Sequence, residues 1–252
     1  MPATEPLRFS RLKLMGQSPA HYLAQTPVES SAIDVGNAAD SLILGDGPGV
    51  IGYHPGKKRS GKEWEAFEAE HSGKVILTAT EYAKAQGMAE AVAKHSDATR
   101  LLTGAIRKPR FWELLGYHCR GTPDVDAPDY LTDLKTGETS SPRKFPWKVR
   151  DFSYHAQLAW YQDGTELAGM GRRSECYIVA VEQAPPHVVT VFRINPHALD
   201  LGRRLYRVWL EHLKLCEESG RFPGYSDAIY DLDLPDPDEM YSLAAAGVEQ
   251  VA

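Results

Sequence analysis

Long apolar runs and paired cysteines are both missing from this chain of 252 residues. No stretch reaches the ~18 apolar residues that a membrane-spanning helix needs, so a membrane protein is not expected. The first residues lack the apolar stretch of a secretory signal, which favours the cytosol. The three cysteines, Cys119, Cys176 and Cys216, are too far apart for a CxxC zinc or iron–sulfur site, and we expect them to be buried thiols.

An excess of positive charge is missing as well, since the formal net charge is −6. Residues 217–252 hold nine acidic residues and a single base, Arg221, so they carry −8 and residues 1–216 carry +2. Local bases set the field that a phosphate experiences, so a nucleic-acid partner is not excluded. We predict one domain over residues 1–220 and an acidic tail over residues 221–252, for which a solvated tail is the simpler interpretation.

Hydrophobic periodicity and turn residues divide the domain into alternating helices and strands. One helix is predicted to begin at Ser18-Pro19, and residues 50–75 are predicted to be a loop with a short helix. The other predicted helices are Ser30–Leu44, Thr80–His95, Asp151–Leu167 and Asn195–Ser219, and the predicted strands are Arg110–Leu115, Tyr117–Asp124, Tyr130–Thr136, Cys176–Glu182 and His187–Ile194. This order predicts an α/β fold in which helices flank a sheet.

The residues best suited to chemistry lie in two neighbouring predicted strands. Asp124 follows Pro123 near the end of one strand, and Asp133 and Lys135 lie in the next strand across a short hairpin. Adjacent strands are about 4.8 Å apart, so the two carboxylates can share a hard cation. Alternation places Asp133 and Lys135 on one face, and a metal with a neighbouring ammonium suits phosphodiester hydrolysis. A surface hairpin with a weak Asp–Lys ion pair fits the short motif too.

The helix that follows carries polar side chains on one face. Tyr154, Gln157 and Tyr161 are spaced i, i+3 and i+7 and can hydrogen-bond a phosphate. An ordinary amphipathic core helix is the alternative, because Leu158 and Trp160 also need burial.

Basic residues cluster in three places on either side of the acidic motif. Because phosphate contacts come mainly from Lys and Arg, these clusters are candidate DNA contacts, although a solvated surface explains the first equally well. They are Lys57, Lys58, Arg59 and Lys62; Arg107, Lys108 and Arg110; and Arg143, Lys144, Lys148 and Arg150.

These motifs together resemble the PD-(D/E)XK nuclease superfamily, and more closely its RecE-type (exonuclease VIII) and RecB-like phage and prophage exonucleases. The resemblance covers over half of the chain, and it rests on Ser18-Pro19-Ala20-His21-Tyr22, Gly36-Asn37-Ala38-Ala39-Asp40, Asp124, Asp133-Leu134-Lys135-Thr136, Tyr154-His155-x-Gln157 and Tyr161. The chain departs from the family pattern twice. Asp40 stands where relatives usually have a histidine ligand, and Ile106-Arg107-Lys108 stands where many have a glutamate.

The resemblance implies a restriction-endonuclease-like fold, with a central mixed sheet flanked by helices and an N-terminal helical embellishment. It implies that Mg²⁺, for which Mn²⁺ substitutes, is held by Asp40, Asp124, Asp133 and the Leu134 carbonyl. Lys135, Gln157 and Tyr161 would complete the catalytic set, and Tyr154 would contact DNA.

The implied function is Mg²⁺-dependent exonuclease activity on linear double-stranded DNA in phage or prophage recombination. The implied partners are a single-strand annealing recombinase and further copies of the chain in a ring, in the cytosol of a bacterium or a phage-infected host. Two alternatives stay open at this point. One is an endonuclease or repair nuclease with the same site, and the other is a catalytically silent DNA-binding or assembly subunit.

Overall fold

The structure is a computed structural model that describes residues 5–25, 31–45, 51–56, 58–229 and 231–232. The helices are α1 (Phe9–Leu12), α2 (Pro19–Ala24), α3 (Ser31–Leu44), α4 (Lys62–Glu70), α5 (Ala79–Ala93), α6 (Ser96–Leu101), α7 (Phe145–Asp151), α8 (Tyr154–Thr165) and α9 (Pro196–Ser219). The strands are β1 (Leu7–Arg8), β2 (Ile51–His54), β3 (Val75–Thr78), β4 (Ala105–Ile106), β5 (Arg110–Leu114), β6 (Tyr117–Gly121), β7 (Val125–Asp126), β8 (Tyr130–Gly137), β9 (Glu175–Glu182) and β10 (Val189–Arg193).

A five-stranded mixed sheet forms the centre of the fold. Its strand order is β10-β9-β8-β7-β4, with β8 and β9 parallel and the other neighbours antiparallel. The two central strands alternate between the faces of the sheet, as strands must. Ile178 and Ala180 therefore pack with α8 and α9, whereas Val179 and Val181 pack with α3 and α5. The predicted α/β fold, a mixed sheet flanked by helices, is confirmed.

The predicted strand Tyr117–Asp124 is wrong in its second half. Strand β6 ends at Gly121 and belongs to a separate three-stranded sheet, β1-β6-β5. The chain then crosses to the central sheet through Thr122, Pro123 and Asp124. Pro123 has no amide hydrogen to give to a ladder, which explains why pairing stops here. Asp124 therefore precedes the short strand β7 instead of ending a long one.

The predicted helix Asp151–Leu167 is wrong at its beginning. A separate helix, α7, runs from Phe145 to Asp151, and Ser153 then adopts a left-handed φ of 58° before α8 begins at Tyr154. The sequence analysis did not predict α7, because proline usually disrupts a helix. Pro146, however, lies in the first turn of α7, where its missing amide hydrogen removes no helical hydrogen bond.

Residues 50–75 hold more regular structure than the predicted loop with a short helix. Besides α4 they contribute β2 and the start of β3, which pair in parallel with each other. Each of these strands is only four residues long, which is too short for the alternation of apolar and polar residues to be recognised in the sequence. No helix among the described residues is long and apolar enough to cross a membrane. Most of the predicted acidic tail, residues 230 and 233–252, lies outside the described residues.

Candidate active site

A cavity of about 780 Å³ opens beside β8, between α3 and α8. It brings together every residue that the sequence predicts for catalysis or metal binding. Its lining includes Asp40, Asp124, Asp133, Leu134, Lys135, Gln157 and Tyr161. Side chains that are up to 121 positions apart in the sequence therefore share one cavity.

Strand β8 places Asp133 and Lys135 on the same face, as the strand period requires. The Nζ atom of Lys135 lies 2.5 Å from Oδ2 of Asp133, which is only 2% exposed. This contact is a close, largely buried ion pair. Burial lowers the pKa of Lys135, but the carboxylates of Asp133 and Asp124 outweigh it and raise that pKa overall. Lys135 is thus a cation at neutral pH and not a proton acceptor.

Asp124, the residue that precedes β7, is held against β8 by a hydrogen bond. Its Oδ2 accepts a hydrogen bond from the Leu134 amide at 2.8 Å. Its backbone carbonyl accepts another from the Arg107 amide at 3.0 Å. Burial raises the pKa of Asp124 well above its usual range, and the charges of Asp133 and Asp40 raise it further. Such crowding of like charges in a cavity is typical of functional sites.

Helix α3 supplies Asp40, the third carboxylate. The helix can approach β8 because residue 36 is glycine, where an added Cβ would lie 2.6 Å from Oγ1 of Thr136. Asp40 follows one turn later on the same face and reaches the cavity. Burial raises the pKa of Asp40 to about 6, with Arg107 opposing the rise and Asp133 adding to it.

Arg107 bridges two of these carboxylates. One guanidinium nitrogen, Nη2, donates a short hydrogen bond to Oδ2 of Asp40, and Nε lies 3.9 Å from Oδ1 of Asp124. The sequence predicts Arg107 to be a DNA contact, but the structure places it inside the acidic cluster. Its positive charge and that of Lys135 neutralise part of the charge of the three carboxylates.

The donor set fits a hard divalent cation. Carboxylate and carbonyl oxygens are the ligands that Mg²⁺ prefers, and Asp40, Asp124, Asp133 and Leu134 supply them. Oδ1 of Asp40 is buried and has no hydrogen-bond partner, so a cation would satisfy it. In the described part of the chain, no three Asp, Glu, His or Cys side chains already stand in ligand geometry. We attribute the absence of ligand geometry to Arg107 and Lys135, which form ion pairs with the carboxylates of Asp40 and Asp133.

Helix α8 closes the cavity with the predicted polar face. Nε2 of Gln157 donates to Oη of Tyr161 at 3.0 Å, and Nζ of Lys135 lies 4.7 Å from the ring centre of Tyr154. Leu158 and Trp160 flank this face and are fully buried, as are Ala156 and Ala159 on the far side of the helix. The two interpretations of this helix are therefore compatible, because one face packs in the core and the other lines the cavity. Burial, together with the charge of Asp133, raises the pKa of Tyr161, so it stays a neutral phenol.

The predicted basic DNA contacts occupy different environments. Lys57 lies outside the described residues. The exposed residues are Lys58, Lys62, Lys108, Arg143, Lys144 and Arg150. Lys148 lines a cavity of about 240 Å³ that shares Lys135 with the main one, and it pairs with Glu138 at 3.1 Å.

Besides Arg107, two partly buried arginines of these clusters are engaged by carboxylates. Arg59 is held by Asp34 at 2.7 Å and by Glu81 at 3.1 Å. Arg110 contacts the buried Asp126 at 2.6 Å. Both placements favour a structural role, because a phosphate would have to displace an existing ion pair. The role of Arg59 as a DNA contact stays a prediction that its surroundings do not support.

Three basic residues beside the site escaped the sequence analysis. Lys84 of α5 lines the main cavity. Arg8 and Arg120 are register partners in the parallel pair β1–β6, and they line an adjoining cavity of about 180 Å³ that includes Gln157 and Tyr161. The two arginines are 112 positions apart in the sequence, so only the strand pairing reveals that they lie together.

Comparisons with known proteins agree with this architecture. A family model described as a PDDEXK-like domain of unknown function (DUF3799) matches residues 8–233. The crystal structure of a Eubacterium rectale protein named "Putative exonuclease" superposes with a TM-score of 0.66 at 14% identity, over 93% of this chain and 92% of that one. The crystal structure of SSO0001 gives a TM-score of 0.28 at 11% identity, over 75% of this chain and 82% of that one, too low to bear on the fold. No functionally curated protein gives a match.

Proposed function

Because the chain belongs to the PDDEXK-like family DUF3799, and with it to the PD-(D/E)XK nuclease superfamily, we propose that it is a Mg²⁺-dependent exodeoxyribonuclease. The superfamily and the restriction-endonuclease-like fold predicted from the sequence are both confirmed. One observation carries the proposal of activity. Asp124, just before β7, and Asp133 of the neighbouring strand β8 lie with Lys135 in one large cavity.

Each cavity residue has a proposed task. Asp124, Asp133, Asp40 and the Leu134 carbonyl would hold Mg²⁺ or Mn²⁺. When bound, such a cation polarises the phosphate and lowers the pKa of water. Lys135, an ammonium, stabilises negative charge on the reacting phosphate.

The α8 face and the surrounding bases have the task of positioning DNA. Gln157 and Tyr161 hold the phosphate, and Tyr154 supports the Lys135 ammonium through its ring face. The exposed lysines and arginines of the predicted clusters contact the DNA backbone. We add Lys84, Arg8 and Arg120 to these contacts, since all three line the cavities around the site.

The finer parts of the proposal rest on the RecE-type resemblance, and the name of the Eubacterium rectale protein agrees with it. The substrate is linear double-stranded DNA, and the setting is phage or prophage recombination in the cytosol. The partners are a single-strand annealing recombinase and further copies in a ring. The nuclease domain spans residues 1–220, and residues 221–252 form an acidic tail.

Linear duplex DNA is expected to be degraded to short products while covalently closed circles survive. An exonuclease needs an end, whereas an endonuclease with the same site does not. The measurement incubates linear and closed circular plasmid with Mg²⁺, with and without EDTA. If closed circles are cut as fast as linear DNA, the exonuclease proposal is wrong and the endonuclease alternative is correct.

Replacement of Arg107 by Gln is expected to tighten Mn²⁺ binding by about tenfold, which corresponds to about 1.4 kcal/mol. The reason is that the guanidinium of Arg107 competes with a cation for Asp40 and Asp124. Calorimetric titration measures the affinity, and Arg107→Lys is the control because it keeps the charge.

A specific observation also supports a second candidate, the silent DNA-binding subunit. Arg107 already satisfies one oxygen of Asp40, as an arginine that replaces a metal would. If neither the parental chain nor Arg107→Gln binds Mn²⁺, the silent subunit is the correct assignment.

A further inference from the structure

Helix α9 is apolar on two opposite sides. Its buried side, which includes Tyr206, Leu210 and Leu213, packs in the core against α8. The contact is close because residue 202 is glycine, where an added Cβ would lie 2.6 Å from the His155 carbonyl. Large apolar side chains also occur on the outer side of this helix, where a surface helix normally carries polar residues.

The outer residues form a regular stripe. Leu201, Val208 and Leu215 are 45%, 58% and 63% exposed, and they follow one another at intervals of seven. This interval brings side chains back to one face after two turns, and it is the repeat by which helices pair. Leu201 also lines an apolar cavity of about 360 Å³ beside Phe145 and Phe192, so the apolar surface continues beyond the helix.

We propose that this stripe, Leu201, Val208 and Leu215, binds the same stripe of a second copy of the chain in antiparallel orientation. The stripe is symmetric about Val208, which is seven residues from each of the other two. A twofold axis at Val208 therefore brings Val208 against its own copy and Leu201 against Leu215 of the second copy. A single self-complementary surface satisfies both chains, as twofold interfaces require.

The charges beside the stripe support the second copy as the occupant. Arg204 and Glu211 lie on the same flank of the stripe, four residues before and three residues after Val208. In the antiparallel pair, Arg204 and Glu211 of the second copy are only ~1.5 Å apart along the helix axis, which is the rise of one residue. The twofold axis repeats this Arg–Glu pair on the other side of Val208. Parallel pairing instead turns that flank toward Leu205 and His212 of the second copy, where no such pair forms. The flank thus selects the antiparallel arrangement.

The dimer surface is separate from the proposed active site. The stripe lies on the side of α9 opposite to α8, whereas Gln157 and Tyr161 of α8 face the cavity. A twofold contact also closes at two copies, so it does not by itself produce a ring. Changes in the stripe are therefore expected to leave DNA cleavage unaltered, and the dimer and the nuclease can fail independently.

Disulfide cross-linking tests the register directly. Val208→Cys is expected to cross-link under mild oxidation at least tenfold faster than Leu215→Cys, a residue of similar exposure. In the antiparallel pair the two copies of residue 208 meet, whereas the two copies of residue 215 lie about 21 Å apart along the axis. The parental chain is the blank, because Cys119, Cys176 and Cys216 are buried. Equal rates, or faster cross-linking at 215, would overturn the proposal.

Sedimentation of the full chain gives the second measurement. The stripe is expected to pair chains in a step that reverses on dilution, in addition to any ring contacts, and Val208→Glu is expected to lose this step with unchanged cleavage. Arg204→Glu and Glu211→Arg are each expected to weaken the dimer by about tenfold, and the double variant should restore it. A parental chain that stays monomeric at every concentration overturns the proposal, because another part of the chain or a different partner then covers the stripe. Failure of the double variant to recover dimerisation overturns the antiparallel register.

Discussion

Asp133→Asn is expected to abolish divalent-cation binding and to lower DNA cleavage by at least about 10³-fold, more than the loss of a single charge-stabilising donor. Asp133 is the most enclosed of the three aspartates in the cavity, with 2% exposure, and its charge interacts with Lys135 and with the other two acids. The asparagine side chain keeps the volume but removes the charge that a hard cation needs. Calorimetric Mn²⁺ titration and single-turnover cleavage of linear duplex measure the two effects.

Asp97 provides the matched control for this loss of an acidic residue. It is exposed and pairs with Arg100 on the surface helix α6, and neither lines the cavity. Asp97→Asn should therefore bind Mn²⁺ and cleave DNA like the parental chain. Thermal unfolding distinguishes loss of function from loss of fold. If folded Asp133→Asn cleaves at the parental rate, the acidic-lysine strand is only a structural ion pair and the nuclease proposal is wrong.

The central part of this site was predictable because its determinants are local. Strand alternation alone places Asp133 and Lys135 on one face and Leu134 on the other. Helical spacing alone places Gln157 and Tyr161 together. Asp124 lies beside Asp133 and Lys135 as predicted, although the predicted strand that contained it is wrong. Its place in the site requires only that it lie next to β8.

The basic surroundings were not predictable because charge type does not reveal the partner. Arg59 and Lys58 are neighbours in the sequence, yet two carboxylates hold Arg59 while Lys58 is exposed. The carboxylates that engage Arg59 lie on α3 and α5, more than 20 positions away in opposite directions. Arg8 and Arg120 illustrate the reverse case, since strand pairing brings together two bases that are far apart in the sequence. Only the tertiary fold decides such cases.

Lys135→Ala is expected to separate cation binding from catalysis. The Lys135 ammonium lies 2.5 Å from Asp133 and so competes with a divalent cation for that carboxylate. Removal of a positive charge beside the cation position should leave Mn²⁺ affinity unchanged or improve it. Cleavage should nevertheless fall by about 10² to 10³-fold, because the donor that stabilises charge on the phosphate is gone.

Comparison of two lysines of the cavity tests whether Lys135 acts directly on the phosphate or only adds positive charge to the cavity. Lys84 lines the same cavity from α5, so Lys84→Ala changes the charge of the cavity equally but leaves the Asp133 contact intact. We expect Lys84→Ala to weaken DNA binding without a large change in the single-turnover rate at saturating DNA. Lys135→Ala should do the opposite, with a large loss in that rate and little loss of DNA affinity. Equal effects of the two substitutions would mean that Lys135 contributes only to the general field of the cavity, and the charge-stabilising role proposed for it would have to be withdrawn.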